Sequence, residues 1–539
     1  MSLFGLFDIA KSAIFASQTA LTVTSNNIAN VNTPGFTRQE ALFAAASPVT
    51  LSGNLLGNGV TISGIKRDYD KFIQTQLWEQ YQNYGRSYAL DQTLSGIEQV
   101  FNEAKNIGLA SPLADFFNAW QGVATNPDGF AERSVLLQKA NALVPVAKQM
   151  ELGITDTLKN MNDSVDTMVD RINAIASDIA SINGKIAQIE AGSKTESAQD
   201  LRDQRDSLLN ELSNLVDFTS YEDKNGSITI MVGMRNLVSG GTTNNLSTEI
   251  NEEGDKDLYL DGINITGNVK KGQLGGMISV RDNVRTNSLD GLRRLIASII
   301  TETNILHRAG YGLDGTTGND FFTPLQLSTR DFSPGADITA TITDPSQLNL
   351  DEYSIQFDAS NNYLVYNKQS GALVTSGTYA SGNPISFDGI NIVITGTVTQ
   401  NDKFTVSPLT DVIRNFGVAI TDEQKIAAAS SDTTLPGDNS NALLIAQLSE
   451  NAQTNLGGAT ISSYYKGLVS TIGSMSKAAS DSLTFDDNLL SELNNRRESL
   501  SGVSLDEEAT NLIKFQRSFE AGAKMIQVTD ELLQTLLNL

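Results

Sequence analysis

The chain has 539 residues, 40% of them apolar and 19% charged, with a formal net charge of −24 at pH 7. That length accommodates roughly three or four domains and a substantial buried core. The charge, with no run of Lys or Arg longer than two, weighs against a phosphate backbone or an anionic lipid surface as partner, and the absence of cysteine removes disulfides, thiolate nucleophiles and cysteine-ligated metals.

The chain opens with "MSLFGLFDIAKSAIF", where Asp8 and Lys11 interrupt the apolar residues and no basic region leads, so it does not read as a secretory signal peptide. No stretch reaches the ~18 apolar residues of a membrane span. The expectation is a chain without membrane insertion, either cytosolic or exported by a route that needs no cleaved signal. From Phe7 the apolar positions recur at intervals of seven, at Phe7, Ile14, Leu21 and Ile28, which predicts a helix with one apolar stripe. The stretch "NNIANVNTPGF" then stops it: Asn30 and Asn32 tolerate the conformations that end a helix, Pro34 denies Thr33 the helical region, and Gly35 allows a positive φ. An extended arm, "FTRQEALFAAASP", follows.

A stricter seam runs through Ile154, Leu158, Met161, Val165, Met168, Ile172, Ile175, Ile179, Ile182, Ile186 and Ile189, in steps of four and three. After a polar break, Leu201, Leu208, Leu212 and Leu215 fit a helix folding back on it as an antiparallel hairpin. From Asp217 the pattern changes to β-formers bounded by Asn, Gly and Asp, as in "DLYLDGINITG" and "ISFDGINIVITG". Between two such β-rich parts, Leu289 to Arg308 reads as a helix, and Leu505, Leu512, Phe519, Ile526 and Leu533, joined by Phe515 and Leu536, predict a closing helix with its own stripe. The fold class is multidomain α+β: an elongated, coiled-coil-like helical rod formed by the N- and C-terminal helices, with inserted β-rich outer domains. Its expected segments are an N-terminal core segment (1–60), a helical rod domain with the hairpin (61–217), a first β-rich part (218–285), a returning helix (286–310), a second β-rich part (311–409), a rod return (410–504) and a C-terminal core helix (505–539).

Catalytic motifs are not supported. Gly310 to Gly315 matches G-x-G-x-x-G, but a helix precedes it and a polar loop follows, so the expectation is a flexible turn, not a dinucleotide site. Asp314, Asn319 and Asp320 lack EF-hand spacing for calcium. His307, the single histidine, reads as a cation favoured by a helix C-terminus. The adjacent acids Glu252 and Glu253, and Glu507 and Glu508, read as solvated faces. Neither an enzyme nor a cofactor is expected.

The run "SNNIANVNTPGFTRQ", and in it Asn26, Asn27, Asn30, Asn32, Pro34, Gly35 and Phe36, resembles the signature of the bacterial flagellar axial proteins: rod, hook and hook-associated proteins. "GVSLDEEATNLIKFQRSFEAGAKMIQVTDELLQTLLNL" is similar to the closing helix of the same family, while "LRDQRDSLLNELSNLV" and "HRAGYGLDGTTGNDFF" resemble the hook-associated members between hook and filament. The likeness is weaker across the β-rich parts. It implies a structural adaptor that assembles as a ring or tube of identical copies at the hook-filament junction. Phe7, Ile14, Leu21 and Ile28 would meet Leu505, Leu512, Phe515, Phe519, Ile526, Leu533 and Leu536 within and between copies, and both ends would be largely disordered in the isolated chain. Implied partners are the hook protein, the second junction protein and an export chaperone on the C-terminal helix; implied too is type III export to the outside of the cell. The alternatives are another axial protein, such as hook protein or flagellin, and an enzyme housed in the β-rich insert. The internal hairpin argues against hook protein and the "NNIANVNTPGF" turn against flagellin.

Overall fold

The computed structural model describes residues 3–51, 54–103, 108–192, 198–333 and 335–538. Among them the helices are α1 (Leu3–Ala29), α2 (Lys71–Val100), α3 (Ala110–Thr125), α4 (Phe130–Gly192), α5 (Gln199–Leu215), α6 (Gly272–Asn283), α7 (Asp290–Ala309), α8 (Ser440–Gln447), α9 (Ile461–Ser501) and α10 (Leu505–Leu537). Antiparallel sheets are inserted between them. The chain packs as two compact units, residues 1–91, 162–279 and 479–539 in one and residues 92–161 and 280–478 in the other.

In the first unit the heptad seam of α4 becomes core. Val165, Ile172, Ile175, Ile179 and Ile186 are at most 1% exposed; the first four pack with Leu209 and Leu212 of α5 and with strand residues Ile230, Val238 and Leu258, and Ile186 packs with Ile182, Ala198 and Leu208. Each such side chain contributes about 1.5–3 kcal/mol of burial. Val169 replaces Met168 in the buried line, and Ile189 is exposed at the helix end. The pairs Arg202–Glu190 (2.9 Å) and Arg171–Glu211 (2.6 Å) run in opposite chain directions and so fix the antiparallel α4/α5 hairpin. Asn183, fully buried on α4, donates from Nδ2 to the Ile228 carbonyl (2.8 Å) and accepts from the Ile228 N–H (3.1 Å), which pins the sheet of Thr219–Glu222, Ile228–Val232, Arg235–Ser239 and Thr242–Thr243 to the helix. The expected first β-rich part ends sooner than its sequence suggests, because Gly272–Asn283 is helical and joins α7 through a π-helical turn at Val284–Leu289. The glycines there serve close packing: a Cβ on Gly276 would lie 2.7 Å from the Arg86 carbonyl oxygen.

The second unit is organised around aromatic side chains. Phe116 and Trp120 of α3 pack on Phe321 and Phe322, and Phe322 on Phe416, with ring centroids 5.0–5.8 Å apart. Two sheets complete it. One has five strands in the order Ser328–Asp331, Lys403–Ser407, Tyr353–Phe357, Asn362–Asn367, Leu373–Thr378; the other has three, Ala336–Ile342, Ile390–Gly396, Pro384–Phe387. Arg133, 1% exposed, has no carboxylate partner among the described residues; it donates to the carbonyls of Pro127, Glu423 and Ile426, and burial lowers it to about 10, so it stays a cation.

His307 corrects the sequence reading. It is not a surface cation at a helix end, because the chain segments at Asn319 and Ala427 cover it completely. Nε2 accepts the Ala427 N–H (3.0 Å), so Nδ1 carries the proton and donates to the Asn319 carbonyl (2.7 Å). Burial pulls the group down to about 4, and it is neutral at pH 7. The Gly310–Gly315 turn is likewise tied down: Tyr311 N–H donates to Ala429 (2.9 Å), Leu313 N–H to Gln424 (2.7 Å), and a Cβ on Gly310 would strike Asn441 Nδ2 at 2.2 Å. Its glycines permit close backbone approach, as a phosphate loop's would, but the partner is this chain. The oxygens considered for calcium are also engaged: Asp314 accepts from Thr316 and Asp320 pairs with Arg308.

A group whose folded pKa is depressed below 6.5 and which folds neutral loses stability as pH falls through that window. Urea unfolding should show His307 contributing a loss of roughly 2 kcal/mol between about pH 7.5 and about pH 5, from the proton taken up only by the unfolded chain. The His307→Gln variant should show a correspondingly flatter profile; equal slopes would refute the neutral buried imidazole.

Candidate assembly interface

α1 and α10 come from opposite ends of the chain and pack on each other antiparallel, with the end of α1 beside the start of α10. The sequence reading expects both to be disordered in the isolated chain. The structure has both as helices, because each supplies the apolar partner that the other lacks.

The contact line differs from the expected one by a rotation of each helix. Among the fully buried positions are Ala10, Ser17, Ala20, Thr24 and Asn27 on α1 and Glu508, Gly522 and Thr529 on α10. These residues are mostly small and recur at sevens, as in Ala10, Ser17 and Thr24 or Gly522 and Thr529. Small side chains let the backbones approach, and the large ones flank them. A Cβ on Gly522 would meet Ile14 Cγ1 at 2.8 Å and the Ala10 carbonyl at 3.4 Å, so only glycine fits without a shift. Of the predicted stripe, Ile14, Leu21, Ile28, Leu512, Phe515, Phe519, Ile526 and Leu533 are half-buried beside the line. Phe7 (40%), Leu505 (52%) and Leu536 (58%) are exposed. Phe515 reaches Ala20, Val23 and Ala41 and stacks on Phe43 of the arm at 5.7 Å.

The "NNIANVNTPGF" stretch closes one end of this seam. Asn30 ends α1 with its side chain, donating from Nδ2 to the Asn26 carbonyl (3.0 Å) and to Asn26 Oδ1 (2.9 Å). Thr33 to Phe36 form a turn closed by Phe36 N–H to the Thr33 carbonyl (3.2 Å), with Pro34 in the second position and Gly35 at φ +81° in the third. Asn32 and Pro34 face solvent; Phe36 is half-buried, and its carbonyl accepts from Arg497 (3.3 Å). The expected arm is the strand Gln39–Ala45, paired antiparallel with Val60–Arg67.

The buried polar contacts at this point bind four segments together. Asn27, 1% exposed, accepts the Gln39 N–H (3.0 Å) and donates to the Gln39 carbonyl (2.8 Å) and to Glu508 Oε2 (3.2 Å). Arg38 donates to Glu508 Oε1 (2.8 Å) and pairs with Glu507 (3.1 Å). Burial opposes its charge, but the hydrogen bond and field of Glu508 outweigh burial and raise its pKa. Glu508 is 2% exposed, which overturns its reading as a solvated acid; Glu507 does face water. On the other side of the arm, Arg67 bridges Asp203 and Asp206 of α5, the latter at 3.0 Å, and Asp203 also accepts the Thr37 N–H (3.2 Å). Burial pushes the Asp206 carboxyl up, against the lowering fields of Arg67 and Arg205. Of these residues the sequence reading places Asn27 in the family motif and takes Glu507 and Glu508 as a solvated pair; it gives none of the others a role. Arg38 and Glu508 each stand within or beside a motif, but their pairing spans 470 residues and leaves no local signal.

Among the described residues no helix is long and apolar enough to cross a membrane, and no group of three His, Cys, Asp or Glu side chains is placed to hold a metal ion. The arrangement supports protein–protein packing.

Comparisons with known proteins agree with that reading. Residues 94–322 match the helical domain of flagellar hook-associated protein FlgK, residues 327–408 the D2-like domain of flagellar hook-associated protein 1, residues 7–37 the flagella basal body rod protein family and residues 497–539 the C-terminal family of the flagellar basal body rod FlgEFG proteins. The chain is 33% identical over 550 residues to flagellar hook-associated protein 1 of Escherichia coli K12, covering 99% of each. It is 30% identical to that of Salmonella typhimurium, again covering 99% of each, and 27% identical to that of Bacillus subtilis, covering 100% of this chain and 98% of the relative. In fold it resembles the flagellar hook junction protein FlgK of Burkholderia pseudomallei, with a TM-score of 0.67 and 18% identity over 79% of this chain and 100% of that one. The chain belongs to the flagellar hook-associated protein 1 family.

Proposed function

We propose that this protein is the structural adaptor at the junction of flagellar hook and filament, assembling there as a ring of identical copies outside the cell. The observation that carries the reading is the α1/α10 pair, in a chain whose full length matches the family. A closed antiparallel pair with small residues inside leaves its large apolar side chains on the flanks, where neighbouring copies can bury them. Phe7, Leu505 and Leu536, exposed in the single chain, are the first candidates for such contacts. The hook protein below and the second junction protein above are the partners this position implies. An export chaperone would cover the exposed apolar side of α10 before secretion, and a chain without cysteine passes an export channel unfolded with no disulfide to rebuild. The role is mechanical and needs no catalytic group.

Three outcomes follow from this reading. Deleting the gene should leave hooks without filaments and release flagellin into the medium; motile cells with intact filaments would refute the junction role. Phe519→Asp and Ile526→Asp each place an unpaired carboxylate beside the seam, at several kcal/mol, and should abolish incorporation, scored by filament counts in complemented cells. Gly522→Val should lower the stability of the isolated chain by about 1–3 kcal/mol through overpacking against Ile14 and Ala10; an unchanged melting temperature would show that the close approach is not needed.

A further inference from the structure

The α1/α10 pair is joined to the rest of the first unit by two stretches of backbone, residues 30–38 after α1 and residues 502–504 before α10. The second is a break between the long helices α9 and α10, made of Gly502, Val503 and Ser504. Each of these residues has two soft backbone torsions, so the link by itself leaves the angle between the helices free.

The first stretch is tied across that break. Its backbone reaches α9: the Arg38 N–H donates to the Ser501 carbonyl (2.9 Å), one of the last carbonyls of the helix, which lack a partner within it, and the Phe36 carbonyl accepts from Arg497 Nη2 (3.3 Å). The Arg38 side chain reaches α10: Nε donates to Glu508 Oε1 (2.8 Å) and Nη1 lies 3.1 Å from Glu507 Oε2, both in the first turn of that helix. Between these ties Thr37, 3% exposed, donates its N–H to Asp203 Oδ2 of α5 (3.2 Å). Three consecutive residues thus hold the end of one helix and the start of the next, with a third helix as support. Helix capping does not account for the arrangement, because α10 has its own cap in Ser504, whose side chain accepts the Glu507 N–H.

We propose that residues 36–38 are a splint across the Gly502–Ser504 break, with Arg38 as its positioning residue, fixing the direction of the α1/α10 pair relative to the end of α9. The fixed angle is a property of the single chain. Its use rests on the junction reading above: an adaptor between two bodies passes bending and torque through its joints, and an unsupported three-residue link would yield to them. Arginine suits the position because its planar fork meets two carboxylates through separate nitrogens, whereas lysine offers one point of charge.

The test uses the full chain. It has no cysteine of its own, so Ser491→Cys on α9 and Gln516→Cys on α10, both exposed, take spin labels without competition. Electron-spin distance measurement on the purified protein should give one narrow distribution. Arg38→Lys keeps a cation beside the buried Glu508, and Arg497→Ala leaves Glu508 with both Arg38 and Asn27, so each variant should melt close to the parent. Each should nonetheless broaden the distribution, because each cuts one side of the splint. A broad distribution with Arg38 and Arg497 in place, or a narrow one that neither variant changes, would overturn the splint. In cells, raising the viscosity of the medium should increase filament loss severalfold more for Arg38→Lys than for the parent. An equal increase would overturn the mechanical use and leave the fixed angle standing; absence of the parent chain from purified flagella would overturn the junction reading instead.

Discussion

The fold depends on one long-range approach: two helices, from opposite ends of the chain, brought close enough that glycine is required at the contact. Asn27 and Glu508 are hydrogen-bonded across 481 residues of sequence. Closing so long an excursion costs chain entropy that grows only slowly with length, so the penalty is set mainly by the ordering of the helices themselves. What offsets it is the burial of a line of small residues, each contributing little alone. Ala10 and Gly522 let the backbones meet, and that meeting seats Phe515 against Ala20, Val23, Ala41 and the ring of Phe43. A bulkier line would bury more area per residue but hold the helices apart, and the arm would lose its place beside them.

Buried charge helps to fix the register of that closure. The Gly522 contact with Ile14 and Ala10 favours one register, and the buried charge adds to that preference. A shift would strand Glu508, 2% exposed, away from Arg38 and Asn27, and an uncompensated buried carboxylate is far costlier than the pair is stabilising. The same logic holds the arm to α5, where Arg67 lies between Asp203 and Asp206. The asparagine-rich stretch thus stops a helix with Asn30 and Asn26, turns the chain with Pro34 and Gly35, and registers both termini with Asn27.

Much of this was legible from the residues, and the failures have physical causes. The α4 seam was readable because its period is strict over eleven positions, and the Thr33–Phe36 turn because proline and glycine restrict φ locally. The contact line between α1 and α10 was misread by a rotation because large apolar side chains dominate a periodicity pattern, whereas helix separation is set by the smallest residues. His307 was read as a cation at a helix end and Glu508 as a solvated acid because Ala427, which donates to His307, and Arg38, which pairs with Glu508, are 120 and 470 residues away. α6 fell within the range 218–285 read as β-rich, and its Gly276 is where the Arg86 backbone comes close, a contact no local pattern records. Local chemistry was visible, and distant partners were not.

An adaptor of this family must be closed enough to fold once and open enough to be built into a larger body. Those demands conflict if the same side chains serve both. Here they are divided: small and polar residues close the pair inside the chain, and the large apolar residues beside them stay half-buried. In the proposed ring, the half-buried Ile14, Leu21, Phe519 and Ile526 would offer surface that a neighbour covers without opening the pair. Assembly then adds burial to a seam that already exists, and the ordering cost of the helices is met before the neighbour arrives, so more of the contact energy is left for holding copies together.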